Sequence, residues 1–382
     1  MIYFDNNATT PPCPEALEAA SAALRDCFGN PSSAHAAGRK AKKLLAESRE
    51  KTASLIGARP DEIVFTGSGS EADHLAILGT WETAVRWNSK KKRIVVTGIE
   101  HPAVRKTVKK LEEAGVDVAW VPPAAGGRVS AEAVGEALTL DTLLVTVILA
   151  QNETGVIQPV KDITARAHAC GAYVHTDAVQ ALGKIPVNVD DLGVDMLSLA
   201  AHKFHGPKGV GALYVRTGTR LGAIALGGGQ EHGLRPGTEN LAGIAALAAA
   251  LEAATKTLAR DTPRIRALRD RVAEGTLKAF PAARWNGDRE HLLPNTASLS
   301  FPRLRADMLL LALDVDGICV ATGSACHSGA LEPSEILKAM GLDDEAARSS
   351  LRISLSRFTT EAEVARYLEV LPALLQRVVR KA

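Results

Sequence analysis

The chain is predicted to be an α/β protein: a large domain on a mostly parallel, seven-stranded sheet, followed by a smaller α+β C-terminal domain. Three observations predict it. At 382 residues the chain is longer than one core usually serves, since cores stop growing at about 250–300 residues. Through its middle, short apolar runs alternate with helical patterns, as they do when helices cross over a parallel sheet. After about residue 280 the pattern becomes strand-rich.

In chain order, residues 36–56 read as a helix whose apolar positions are Ala41, Leu44, Leu45, Leu55 and Ile56, closed by Gly57. A strand at 62–66 runs into Gly67-Ser68-Gly69-Ser70, and a helical pattern resumes over 71–78. Further strands are expected at 93–97, 117–121, 142–149, 172–176, 196–199 and 211–215. Glycines open an irregular loop over 227–231. One helix is expected from 241 to about 258 and another from 263 to 279, with strands at 296–301 and 351–356. The large domain is placed at 15–255. The small domain takes 256–382 together with 1–14, which are expected to pack back on it.

Composition narrows the function. A net charge of +2 gives no electrostatic case for nucleic acid or anionic membrane as a partner. The cluster Lys90-Lys91-Lys92-Arg93 reads as a solvated turn before a strand. No run approaches the roughly 20 apolar residues of a membrane helix, and Met1-Ile2-Tyr3-Phe4 lacks the basic start of a signal peptide. A cytoplasmic protein is expected. Five cysteines without a Cys-x-x-Cys pair argue against a disulfide framework and a zinc ribbon, and no metal site is expected.

Four features carry chemistry. Gly67-Ser68-Gly69-Ser70 before a helix suits a phosphate, because small residues expose N–H groups beside the helix's positive end; a plain helix cap is the alternative. Asp177 ends a strand where ligands of open α/β sheets bind, or else caps a helix. Lys203, in Ala201-His202-Lys203-Phe204-His205-Gly206-Pro207, follows the next strand. Desolvation there makes a nucleophilic amine, although an isolated lysine more often snorkels; Lys208 reads as a surface lysine. Together these fit pyridoxal 5'-phosphate, which requires a Schiff-base lysine, a carboxylate for its pyridine nitrogen and a phosphate cradle. His101, before Pro102, suits stacking on such a ring, or a capping role.

The fourth feature is Ala321-Thr322-Gly323-Ser324-Ala325-Cys326-His327-Ser328-Gly329. Small neighbours suit an exposed loop, and His327 can favour a thiolate. Cys319, between Ile318 and Val320, reads as buried and inert, and Cys13, Cys27 and Cys170 as structural.

With these residues in hand the chain resembles the NifS/IscS family of cysteine desulfurases, within fold type I of the pyridoxal-phosphate enzymes. The resemblance runs through Tyr3-Phe4-Asp5-Asn6-Asn7-Ala8-Thr9-Thr10-Pro11, Glu100-His101, Asn152-Glu153-Thr154-Gly155, His175-Thr176-Asp177-Ala178-Val179-Gln180, the lysine block, residues 230–240 and 323–334, and Leu351-Arg352-Ile353-Ser354. It implies conversion of L-cysteine to L-alanine with a persulfide on Cys326, in a homodimer that passes sulfur to an acceptor protein, an iron–sulfur scaffold among the candidates. It implies Lys203 as Schiff-base lysine and proton shuttle, Asp177 at the pyridine nitrogen, Gln180 at the ring hydroxyl and His101 on the ring. Gly69, Ser70 and His202 would hold the phosphate with Thr238 of the partner subunit. Arg352 and Asn152 would bind the substrate carboxylate. Ala200, His74, His232 and His327 depart from the family's usual residues. Selenocysteine lyases share the Cys-His-Ser sequence and are the alternative reading.

Overall fold

The computed structural model describes residues 1–323 and 332–379. Its strands are β1 (Ile2–Tyr3), β2 (Ile63–Thr66), β3 (Arg93–Thr97), β4 (Val118–Val121), β5 (Thr142–Ile148), β6 (Tyr173–Asp177), β7 (Met196–Ala200), β8 (Gly211–Val215), β9 (Arg284–Trp285), β10 (Thr296–Ser300), β11 (Ile318–Cys319), β12 (Ala321–Thr322) and β13 (Ser350–Ser354).

The main sheet has seven strands in the order β2-β8-β7-β6-β5-β3-β4. Pairs from β7 through β4 are parallel, and β8 alone runs against its neighbours β7 and β2. Its central strands are apolar without alternation because both faces are covered. Successive residues point to opposite faces, so Val64, Ile94, Val96 and Leu144 enter one apolar layer. Ile63, Phe65, Val95, Val145 and Val147 enter the other.

A second sheet, β12-β13-β10-β9, is antiparallel. With helices Ala306–Val315 and Glu361–Val379 it surrounds a separate core that includes Phe4, Leu299, Phe301, Ile353 and Tyr367. The N-terminus joins this part: β1 pairs in parallel with β11, and Asp5 bridges to Ser354.

Helix Leu241–Ala279 corrects the expectation of two helices. It is one helix of 39 residues with Pro263 inside. An interior proline costs about 3 kcal/mol, and the burial on both sides of it offsets that cost. Leu247, Leu251 and Ala254 lie in the main core, while Ile265, Leu268 and Val272 lie in the second. The domain change expected near residue 256 thus falls inside a continuous helix. By length and composition this helix could also cross a bilayer, yet 61% of its apolar window is buried against the rest of the protein.

The helix after β2 begins at Gly69 and continues to Arg86, so it starts earlier and runs longer than the pattern over 71–78. Cys319 is partly exposed rather than buried, as are Cys27 and Cys170. β11 alternates Ile318 inward with Cys319 outward, so an apolar neighbourhood in sequence does not bury the residue between.

Candidate active site

Strand order decides where the site lies. After β4 the chain crosses back over β3 to form β5, so order reverses between β3 and β5, and the crevice opens at their C-terminal ends. His101 follows β3, Asn152 follows β5, Asp177 ends β6 and Lys203 follows β7. β2 runs the same way as β7, which brings Gly67, Ser68, Gly69 and Ser70 to this end as well.

Ser68 caps the following helix, its Oγ accepting from Glu71 N at 3.1 Å. Gly69 is required: a Cβ there would lie 2.7 Å from Val179 Cγ2. Ser70 is exposed in the first turn, so N–H groups and a hydroxyl face outward together. His202 follows β7 at the same end of the sheet, Nδ1 3.1 Å from Thr9 Oγ1. Burial, then the positive charge of Lys203, lower its pKa to about 4, so it is a neutral imidazole at pH 7.

Lys203 Nζ donates to the carbonyls of Asn7 at 2.6 Å and Ala8 at 2.7 Å. Burial first, and Arg352 second, lower its pKa to about 8, while Asp177 and Asp5 pull the other way. The free, nucleophilic amine is thus a far larger fraction at neutral pH than for an ordinary lysine. Asp177 is buried and its Oδ1 accepts from Val179 N at 2.9 Å; it makes no ion pair among the described residues. Burial raises its pKa, and His101 opposes the rise. His101 does cap its helix, Nδ1 accepting from Ala103 N at 3.2 Å, yet ring and carboxyl polar atoms of His101, Asp177 and Asp73 lie within 4.8 Å of one another. Capping therefore does not take His101 away from the site.

Arg352 is buried, on β13 of the second sheet. Its Nη2 bonds Asp5 Oδ1 at 2.7 Å, its Nη1 bonds the Asn152 carbonyl at 3.2 Å, and its Nε has no partner among the described residues. Gln180 donates from Nε2 to Asn7 O at 2.8 Å and accepts at Oε1 from Lys184 Nζ at 2.6 Å. Thr238 is exposed on the loop before helix Leu241–Ala279. Cys326, Ser324 and His327 lie outside the described residues.

Sequence reasoning missed several members. Asn7 is the hub of the site, also receiving Lys184 and Asn295 at Oδ1, at 3.1 and 3.0 Å, and giving Nδ2 to Thr296 at 2.9 Å. Beneath Asp177 lie two more buried acids. Glu100 accepts from Thr97 and, at 2.7 Å, from Ile148 N, and burial raises its pKa to about 8. Asp73 is pushed well up by burial and by Asp177. Neutral His175, held between Thr146 at 2.9 Å and Ser198 at 2.9 Å, stands 3.6 Å from Asp73. Glu153 takes a bond from Ser334 at 2.5 Å, and burial raises its pKa to about 7. Position next to His101 was a signal for Glu100, and the block 3–11 was one for Asn7; Asp73 and Lys184 had none.

An aminotransferase class-V match covers residues 2–367. A cysteine desulfurase of Trichormus azollae is 43% identical over 378 residues, spanning 99% of this chain and 94% of its own length. A solved NifS-like protein superposes with a TM-score of 0.92 at 38% identity, covering 98% of this chain and 99% of that one. The structure of SspA in complex with cysteine gives 0.81 at 35% identity, over 94% of this chain and all (100%) of that one. The chain belongs to the aminotransferase class-V family. Within that family it stands with the NifS/IscS cysteine desulfurases.

Proposed function

We propose that the chain is a pyridoxal-phosphate-dependent cysteine desulfurase, converting L-cysteine to L-alanine and carrying the sulfur as a persulfide on Cys326. The observation that carries this is the meeting of Lys203, Asp177, His101 and Arg352 at one end of the sheet. The residues present fit the cofactor. Asp177 is a buried carboxyl that makes no ion pair among the described residues, and a protonated pyridine nitrogen would supply one. The Gly69 backbone and Ser70 offer N–H and hydroxyl donors at a helix N-terminus, as a phosphate requires.

When bound, pyridoxal phosphate supplies an aldehyde for the substrate amine and a protonated ring that draws electrons from Cα. Lys203 would hold that aldehyde between turnovers and would move the Cα proton, for which a pKa of about 8 is well matched. Asp177 would keep the ring nitrogen protonated, and His101 beside it would hold the ring. Gln180 would meet the ring oxygen; Gly69, Ser70 and His202 would hold the phosphate, with Thr238 supplied by the other subunit of a homodimer. Arg352, with Asn152, takes the substrate carboxylate, for which a guanidinium is shaped. In the net reaction the C–S bond of cysteine breaks and an S–S bond forms at Cys326. The thiol proton balances the new methyl group of alanine.

Relatives named cysteine desulfurase favour cysteine over selenocysteine as substrate. The persulfide is then passed to an acceptor protein in the cytoplasm, an iron–sulfur scaffold being the candidate class. The test is alanine release from L-cysteine by protein reconstituted with pyridoxal phosphate. Lys203→Ala should abolish it. Turnover of selenocysteine with negligible alanine from cysteine would reject this function.

A further inference from the structure

Lys184 is a second amine close to Lys203. Gly183, at φ +72, turns the chain before it, and a Cβ there would meet Phe204 Cβ at 2.7 Å. The turn brings Lys184 back under the site, where Nζ donates to Gln180 Oε1 at 2.6 Å and to Asn7 Oδ1 at 3.1 Å. Asn7 O is a carbonyl and can only accept, so the Gln180 nitrogen must face it, 2.8 Å away. Between that carbonyl and Lys184 the Gln180 amide has one orientation. Toward a ligand its nitrogen therefore offers its second N–H.

We propose that Lys184 is a positioning residue that, through Gln180, fixes an N–H donor toward the ring oxygen of the cofactor and so favours the ionised form of that oxygen. The N–H of Lys184 donated to Gln180 Oε1 polarises the amide and strengthens its remaining N–H as a donor. Lys184 also steadies Asn7, whose carbonyl docks the Lys203 amine. The charged groups facing this pair are Arg352, Asp177 and Asp5 around Lys203, with His101 and His202 beside it. None of these bonds Gln180, so Lys184 is the amine donor acting on it; burial, then Lys203 and Arg352, push the Lys184 pKa well down. The inference rests on the cofactor assignment made above.

The experiment reads absorbance rather than turnover. In protein reconstituted with pyridoxal phosphate, the ratio of the visible to the near-ultraviolet band reports whether the ring oxygen is ionised. Lys184→Met should lower that ratio about threefold, the equivalent of losing one ordinary hydrogen bond. Lys184→Arg, which keeps an N–H donor, should restore most of it. If Lys184 acts through Gln180, then Gln180→Leu lowers the ratio by itself and Lys184→Met adds nothing on that background. An unchanged ratio in Lys184→Met, or full additivity with Gln180→Leu, overturns the proposal. Should Lys184→Met not fold, Lys184→Gln takes its place: a lowered ratio is expected, and an unchanged one overturns the proposal. Failure of the cofactor assignment looks different: the wild-type protein would then show no borohydride-reducible band on Lys203.

Discussion

Arg352 Nη2 lies 2.7 Å from Asp5 Oδ1, so an acid near the start of the chain orients a guanidinium on β13, near its end. That pair stands at the junction of the two sheets, since Asp5 bridges to Ser354 and Arg352 also reaches the carbonyl of Asn152 after β5. The guanidinium proposed to bind the substrate carboxylate, at a site built on the first sheet, thus comes from the second.

Removing the orienting acid should loosen the guanidinium without removing its charge. Asp5→Ala is expected to raise the KM for L-cysteine about tenfold with a smaller change in kcat, as loss of a charge-assisted bond predicts. Arg352→Lys should do more, because an ammonium cannot pair with a carboxylate in two places. Steady-state kinetics over a range of cysteine concentrations checks both. An unaltered KM in Asp5→Ala would show that Asp5 does not orient Arg352 for substrate.

The amine of Lys203 should titrate far below an ordinary lysine. Its pKa of about 8 is lowered by burial, then by Arg352, and is propped up by Asp177 and Asp5. The rate at which apoprotein takes up pyridoxal phosphate should therefore rise through pH 8 and level off above it. Asp177→Asn removes a charge that favours the ammonium, so its midpoint should move to lower pH. Stopped-flow uptake between about pH 6 and 10 measures both midpoints.

Glu100 makes a stability prediction with a definite sign. Burial raises its pKa from 4.5 to about 8 in the folded protein. The proton it binds on folding stabilises the protein fully below pH 4.5, and that contribution is lost as pH rises to about 8. Glu100→Gln keeps an acceptor for Thr97 and Ile148 but cannot ionise. Relative to wild type it should gain stability between about pH 5 and 8, by on the order of a few kcal/mol at the upper end. Apoprotein denaturation at several pH values gives the curve.

Pro263 is exposed within helix Leu241–Ala279 and provides no N–H for the turn before it. Pro263→Ala should stabilise the protein by about 1–3 kcal/mol. A loss of stability would mean that the proline's geometry is required where the helix passes between cores.

Much of the fold was legible because the central strands carry their own signature. The runs at β3, β5 and β8 are apolar on both faces and end at turns, so Arg93–Thr97 and Gly211–Val215 could be read to the residue. Helix Leu241–Ala279 was not, because proline in a sequence reports only its local cost and not the two cores that hold its flanks. Lys203 and Asp177 stood out through their strand-end positions. Asn7, Lys184 and Asp73 did not, since their roles arise from contacts across the chain, such as Asn7 with Thr296 and Lys184 with Asn7. Linear spacing carries no trace of such pairs.

The central claim is tested most directly by the mass of the Cys326 peptide after brief mixing of cofactor-loaded protein with L-cysteine, in parallel with assay of alanine. Added mass of one sulfur atom on Cys326, matched by alanine in equal amount and absent in Lys203→Ala, is the predicted result. Alanine formed with Cys326 unmodified, or with the sulfur on Cys319 instead, would contradict it.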